Sequence, residues 1–270
     1  MNKTEGNSWA ILCLGSTILN FMISGQNEII FPRDRIVHVL ISFAIWTGII
    51  YLISRINFSC GFYRCAIICI LILRVFCIMY DFTGYYHIYH GSDTAAILTL
   101  TAALLFVLWR FDAGRIKQLY IITLFFNTVL FVLIFVLNTG NLNVGNIYSY
   151  NTETVFSLSK IYVFFDIFTL AVIMENTEKR IYAQKRYMLY SAVFIVASTL
   201  LQGLCIKGNM MYSITPLQSL FQIYSGNTII RIDYYLAVVQ SVNYFTTVSM
   251  YFAVIKKALI QVKETINEKN

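Results

Sequence analysis

Apolar residues gather along this chain into eight long stretches, and polar residues gather between them. The stretches run Trp9–Gly25, Ile36–Ser54, Phe62–Phe82, Thr94–Trp109, Leu119–Leu137, Val155–Met174, Met188–Ile206 and Tyr234–Ile255. Several reach the roughly 20 residues that an apolar helix needs to cross a bilayer, while the fourth is short. The pattern predicts helices that are apolar on every side rather than amphipathic, as membrane spans are. No secretory signal peptide is expected at the start, because the first stretch lacks a small-residue cleavage site and further spans follow at once.

Composition agrees with that reading. The chain has 270 residues, of which 58% are hydrophobic and 12% charged, and its mean hydropathy is +0.68. One soluble core could not bury so much apolar surface. The expected class is an all-α, polytopic transmembrane helix bundle in a cell membrane.

The basic residues orient the bundle. With the amino terminus in the cytoplasm, the inner segments hold Lys3, Arg55, Arg64, Arg110, Arg115, Lys117, Lys179, Arg180, Lys185, Arg186, Lys256, Lys257, Lys263 and Lys269. The outer segments hold only Arg33, Arg35, Lys207 and Arg231. That bias demands both termini inside and an even number of spans. The net charge of +7 is then a topology signal with some attraction to anionic lipid. No basic domain is present in which a nucleic-acid site would lie.

Residues 1–257 read as one bundle and 258–270 as a cytoplasmic tail that prolongs the last helix. Two outer connections are long: the Asn-rich segment Asn138–Thr154 and the segment Lys207–Asp233. Within the latter, Thr215–Tyr224 reads as a short amphipathic helix, with Pro216 in its first turn and Ser225-Gly226-Asn227 closing it. The six cysteines (Cys13, Cys60, Cys65, Cys69, Cys77, Cys205) read as small packing residues without disulfides.

Ionisable groups inside a membrane are expensive, so each marks a candidate site. Arg74 lies in the middle of the third stretch, and Asp81 lies seven residues on, on the same helical face. Asp166 lies near the middle of the sixth stretch, with Lys160 one and a half turns before it. An Arg–Asp pair pinning two helices and a ligand- or ion-binding group on a central cavity are both open readings. The first stretch carries Gly15-Ser16-Thr17. Those residues serve either close helix packing or a discontinuous helix whose freed N–H groups receive an anionic ligand group. His87, His90 and Asp93 are expected in an outer loop, and no further His or Cys completes a metal site. No paired carboxylates, nucleophile elbow or Cys/His/Asn set appears, so neither an enzyme nor a cofactor is expected.

The stretch Thr215–Tyr251 (TPLQSLFQIYSGNTIIRIDYYLAVVQSVNYFTTVSMY) resembles the end of the B subunit of spore germinant receptors. There a proline-led half-helix and a Gly-containing turn lead into an Arg-x-Asp, here Arg231-Ile-Asp233, and then a last span ending in Tyr. Asp112-Ala-Gly-Arg115 stands at that family's acidic/Arg cytoplasmic turn, and Asn138–Asn151 is similar to its Asn-rich outer loop. Asp166 falls where the family has Gly-Glu, before a basic loop matched by Glu178–Arg186. Gly15-Ser16 and Arg33-Asp34-Arg35 also fit, so the likeness covers nearly the whole chain.

That family belongs to the amino acid–polyamine–organocation superfamily, with a ten-span, LeuT-like inverted-repeat fold. The resemblance therefore implies a shortened version of that fold, eight spans against ten, with the first and sixth helices broken around a midplane ligand site. Gly15, Ser16 and Thr17 would lie at the first break, and Phe165, Asp166 and Ile167 at the second. Arg74, Asp81, Lys160, Arg231 and Asp233 would be structural or coupling charges. The function implied is a nutrient (amino acid) sensor of a spore germination receptor in the spore inner membrane. Its partners would be an A-type membrane subunit and a C-type lipoprotein. A proton- or cation-coupled amino acid permease is the alternative.

Overall fold

The computed structural model describes residues 9–18 (except 12), 32–54, 61–90, a few positions between 98 and 106, 113–137, 164–205 (except 175), 222–225, 228–231 and 233–267. The elements are α1 (Trp9–Ile18), α2 (Pro32–Ser54), α3 (Gly61–His90), α4 (Ala113–Leu137), α5 (Ile167–Ile173), α6 (Thr177–Cys205), a hairpin of β1 (Gln222–Ser225) and β2 (Thr228–Arg231), and α7 (Asp233–Asn267). The architecture is a helix bundle with one short hairpin.

Among the described residues, three segments are long and apolar enough to cross a bilayer: Ile36–Ser54, Phe62–Gly84 and Val238–Glu264. Large apolar side chains cover the outer faces of the bundle, among them Leu52, Leu73, Phe76 and Tyr80, and on α4 Phe125, Phe126 and Val132. Contiguous exposed apolar surface on this scale suits lipid rather than water. This is a membrane protein.

The centre is built around α7 and the short α5. Helix α7 packs against α3, α4 and α5, while α5 also touches α3 and α6, and α6 lies along α2. Phe164, Ile167 and Leu170 are fully buried. Phe43 and Trp46 of α2 close over this region, edge-on to Phe164 and Phe168 at 6.1 and 5.8 Å between ring centres. On the other side Phe82 of α3 stacks flat on Tyr244 of α7 at 3.8 Å. These apolar contacts set which faces meet. Polar pairs then fix the register.

The clearest such pair is Asn127 of α4 with Asn243 of α7. Each amide nitrogen donates to the other's oxygen, at 2.8 and 2.9 Å, and both residues are buried. At the cytoplasmic end expected from the charge bias, Arg64 Nη1 donates to the Gln261 carbonyl and ties the start of α3 to the far end of α7. Elsewhere hydroxyls satisfy themselves on their own helix. Thr47, Thr83, Thr128 and Thr246 each donate to the carbonyl four residues back, which lets a hydroxyl sit in apolar surroundings.

The structure corrects several expected boundaries. Residues 222–225, expected as the end of a helix, form strand β1, paired antiparallel with β2 from Gln222↔Arg231 to Ser225↔Thr228. Residues 215–221 lie outside the described residues. His87 and His90 belong to the last turn of α3 rather than to a loop, because that helix runs on past its apolar part. Asp93 lies outside the described residues. Glu178–Arg186 is not a loop but the opening turns of α6. Asn176 caps them by accepting the Lys179 N–H on its side chain at 3.1 Å, and Glu178 suits the positive end of the helix dipole. Ala113–Arg115, expected in a turn, begin α4. The tail does prolong the last helix, to Asn267. Of the fourth stretch only fragments are described, and Asn138–Thr154 falls wholly outside the described residues.

A double-mutant cycle at Asn127 and Asn243 tests the register. Either single Ala variant should lower thermal stability in detergent, with a coupling energy of about 1 kcal/mol between the two. Strictly additive losses would show that the amides do not hold α4 on α7.

Candidate functional site

Of the sixth apolar stretch the structure describes the part from Phe164 on: Phe164–Asp166 form a turn, and α5 runs for seven residues from Ile167 to Ile173. Phe168 N–H bonds to the Phe165 carbonyl and Leu170 N–H to the Asp166 carbonyl, so the turn winds directly into the helix. Asp166 stands in the capping position, yet its side chain does not cap. The carboxylate turns instead into the bundle, where it is 2% exposed.

What meets it there is a set of hydroxyls. Oδ1 accepts from Tyr251 Oη of α7 at 2.6 Å and from Thr169 Oγ1 at 3.1 Å. Oδ2 accepts from Tyr187 Oη of α6 at 3.4 Å. A second rank of hydroxyls stands behind these. Ser16 Oγ lies 3.0 Å from Tyr251 Oη, and Thr17 Oγ1 lies 3.0 Å from Tyr187 Oη and 3.1 Å from Ser191 Oγ.

A phenol has one proton, which fixes the direction of these bonds. Tyr251 and Tyr187 donate to Asp166, so Thr17 donates to Tyr187 and Ser191 to Thr17, while Ser16 stands against both Tyr251 and Asp166. Two hydroxyl relays therefore converge on one carboxylate from α1, α6 and α7. Together they offset the cost of burying its charge. The Ser16 hydroxyl also hydrogen-bonds Asp166, so α1 reaches the carboxylate directly.

Arg74 of α3 acts on the same centre. It is buried, its guanidinium carbon lies 5.6 Å from the centre of the Phe165 ring, and it is within electrostatic reach of Asp166. A cation over an aromatic face is favourable in a dry site. The structure thus brings together Ser16, Thr17, Phe165, Asp166, Ile167 and Arg74, with Ile167 as a fully buried wall.

Gly15 has a different role from the one the resemblance implies. The α1 helix runs unbroken from Cys13 to Ile18, so no break lies at Gly15-Ser16-Thr17. A Cβ on Gly15 would stand 1.9 Å from Cε2 of Tyr120. Glycine here lets α1 close on α4, as small residues do between membrane helices. Without that approach the Ser16 and Thr17 hydroxyls could not reach α7 and α6.

Asp81 does not join the cluster. Its side chain is exposed while Arg74 is buried, so the two do not share an inward face, although Asp81 remains within electrostatic reach of Arg74. Arg231 ends β2 and Asp233 opens α7. Lys160 lies outside the described residues. Among the described residues no group of three His, Cys, Asp or Glu is placed to hold a metal.

Comparison with protein-family models, curated proteins and solved structures gives no match. The site is therefore read from its own chemistry. Four of its members escaped the sequence reading: Thr169, Tyr187, Ser191 and Tyr120. Thr169 carries a signal in its spacing, three residues after Asp166. Tyr187 and Ser191, four apart, share one face of α6. With 19 tyrosines in the chain, nothing marked Tyr120 or Tyr187 out.

Gly15→Ala should cost about 1–3 kcal/mol through overpacking, visible as a lower melting temperature in detergent. Adding Tyr120→Leu should recover most of that loss. A single Gly15→Ala variant of unchanged stability would show that the two helices do not meet this closely.

Proposed function

We propose that this chain is the nutrient sensor subunit of a spore germination receptor, with a small amino acid bound at Asp166 in the middle of the membrane. The observation that carries the reading is a buried carboxylate at the start of α5, ringed by hydroxyls from α1, α6 and α7. A primary ammonium suits that carboxylate. Arg74, against the Phe165 ring, suits the ligand's own carboxylate. The resemblance of Thr215–Tyr251 to germinant receptor B subunits supports the same assignment. So does the position of Asp166 just before α5 begins, at the residues where the resemblance implies the second break.

Binding here can signal only by favouring one arrangement of the helices over another. Asp166 is joined to α6 and α7 through Tyr187 and Tyr251 and to α1 through Ser16, so an ammonium that recruits the carboxylate redistributes bonds to all three. An A-type membrane subunit and a C-type lipoprotein in the spore inner membrane would receive that change. The second reading is a proton- or cation-coupled amino acid permease, and the two hydroxyl relays are the feature that favours it, since they can pass protons to and from Asp166.

Full-length protein in vesicles separates the two. Saturable binding of radiolabelled amino acids without flux supports the sensor, and concentrative uptake supports the permease. Asp166→Asn, which preserves shape, should weaken binding about 10- to 100-fold at normal protein level, the range for a lost charged hydrogen bond. Unchanged binding in that variant would remove Asp166 from the ligand site.

A further inference from the structure

The face of α7 that carries Tyr251 is polar well beyond Asp166. Gln240, Asn243, Thr247 and Tyr251 recur at three- and four-residue spacing and are all buried to within 2%. They look onto α4, whose own inward face carries Tyr120, Thr123 and Asn127, also buried. Asn127 meets Asn243 at one level, while Tyr120 and Tyr251 both come within electrostatic reach of Asp166 at another. The two helices are therefore antiparallel, with Thr123 and Thr247 each one turn from the amide pair at the level between. A polar seam follows, about 16 Å long from Gln240 to Tyr251 at 1.5 Å per residue.

Three residues of this seam have no hydrogen-bond partner for buried polar atoms among the described residues. They are Gln240 at both Oε1 and Nε2, Thr247 at Oγ1, and Tyr120 at Oη. The contrast with Thr246 is informative. One residue away on the same helix, Thr246 satisfies its hydroxyl on its own backbone, whereas Thr247 does not. Orphaned polar atoms in a membrane interior cost several kcal/mol each unless water reaches them, and polar sites of this kind recruit it. The seam is also closed at one end. Beyond Tyr251 the same part of α7 presents buried Val254, Ile255 and Ala258, while the orphaned groups continue toward the helix's amino end at Gln240.

We propose that the α4–α7 seam is a water-filled path that connects Asp166 with the membrane face at the amino end of α7. Water chains along Gln240, Thr247 and Tyr120 carry protons to the carboxylate and back, independently of what ligand the site takes. The path goes beyond the nutrient reading and stands if that reading fails, because it concerns access to Asp166 and not occupancy.

Radiolytic hydroxyl labelling of the full-length protein in lipid nanodiscs tests it, with rapid mixing into ¹⁸O-water immediately before the pulse. Tyr120 and Tyr251 should acquire ¹⁸O, while Phe164, equally buried but in the apolar core, should not. The double variant Gln240→Leu with Thr247→Val should lose that labelling, and Thr246→Val should keep it. Three results would overturn the path: no label on Tyr120 and Tyr251 above Phe164, a label carrying only ¹⁶O, which means trapped water, or full labelling in the double variant. The wild-type measurement decides even where a variant fails to fold.

Discussion

Everything central in this bundle depends on how one buried carboxylate is accommodated. Asp166 lies just before α5 begins, and a charge buried there cannot persist without donors. The donors are hydroxyls delivered by separate elements: Tyr251 from α7, Tyr187 from α6, and Thr169 from the turn that follows. Behind them Ser16 and Thr17 require α1 to come close, which in turn requires glycine at position 15 against Tyr120. The packing of four helices is thus tied to one side chain. Such a centre is also the place where a small charged ligand gains leverage, since displacing one hydroxyl disturbs contacts to several helices at once.

Hydroxyl donors have a consequence that lysine or arginine donors would not. A salt bridge would fill the carboxylate and fix it. Hydroxyls are neutral, can reverse the sense of a bond, and leave acceptor capacity behind. Arg74, with its guanidinium against the Phe165 ring, is within electrostatic reach of Asp166 and tempers its charge. The polar seam along α7 extends the same logic outward, with amides and hydroxyls in place of ions.

Much of this was legible in the residues. Asp166 and Arg74 stood out because charge inside an apolar stretch is costly. The break expected at Gly15–Thr17 is not formed, because the same small residues serve close packing equally well, and packing against Tyr120 is what Gly15 does. The tyrosines were hidden by their number and by their suitability for membrane helices generally. Residues 222–225 read as a helix end because Pro216 and Gly226 mimic its caps, yet Ser225-Gly226-Asn227-Thr228 fits a two-residue hairpin turn just as well. His87 and His90 read as a loop because polarity marks where a span leaves the membrane, not where its helix ends.

The most direct test of the central claim is infrared spectroscopy of protein carrying ¹³C-labelled aspartate carboxylates, in nanodiscs, before and after a mixture of the common amino acids is added. An ammonium taken up at Asp166 predicts a shift in a carboxylate stretching band that disappears in Asp166→Asn. Saturable amino acid binding with no change in any aspartate band would contradict the account and place the ligand elsewhere in the bundle.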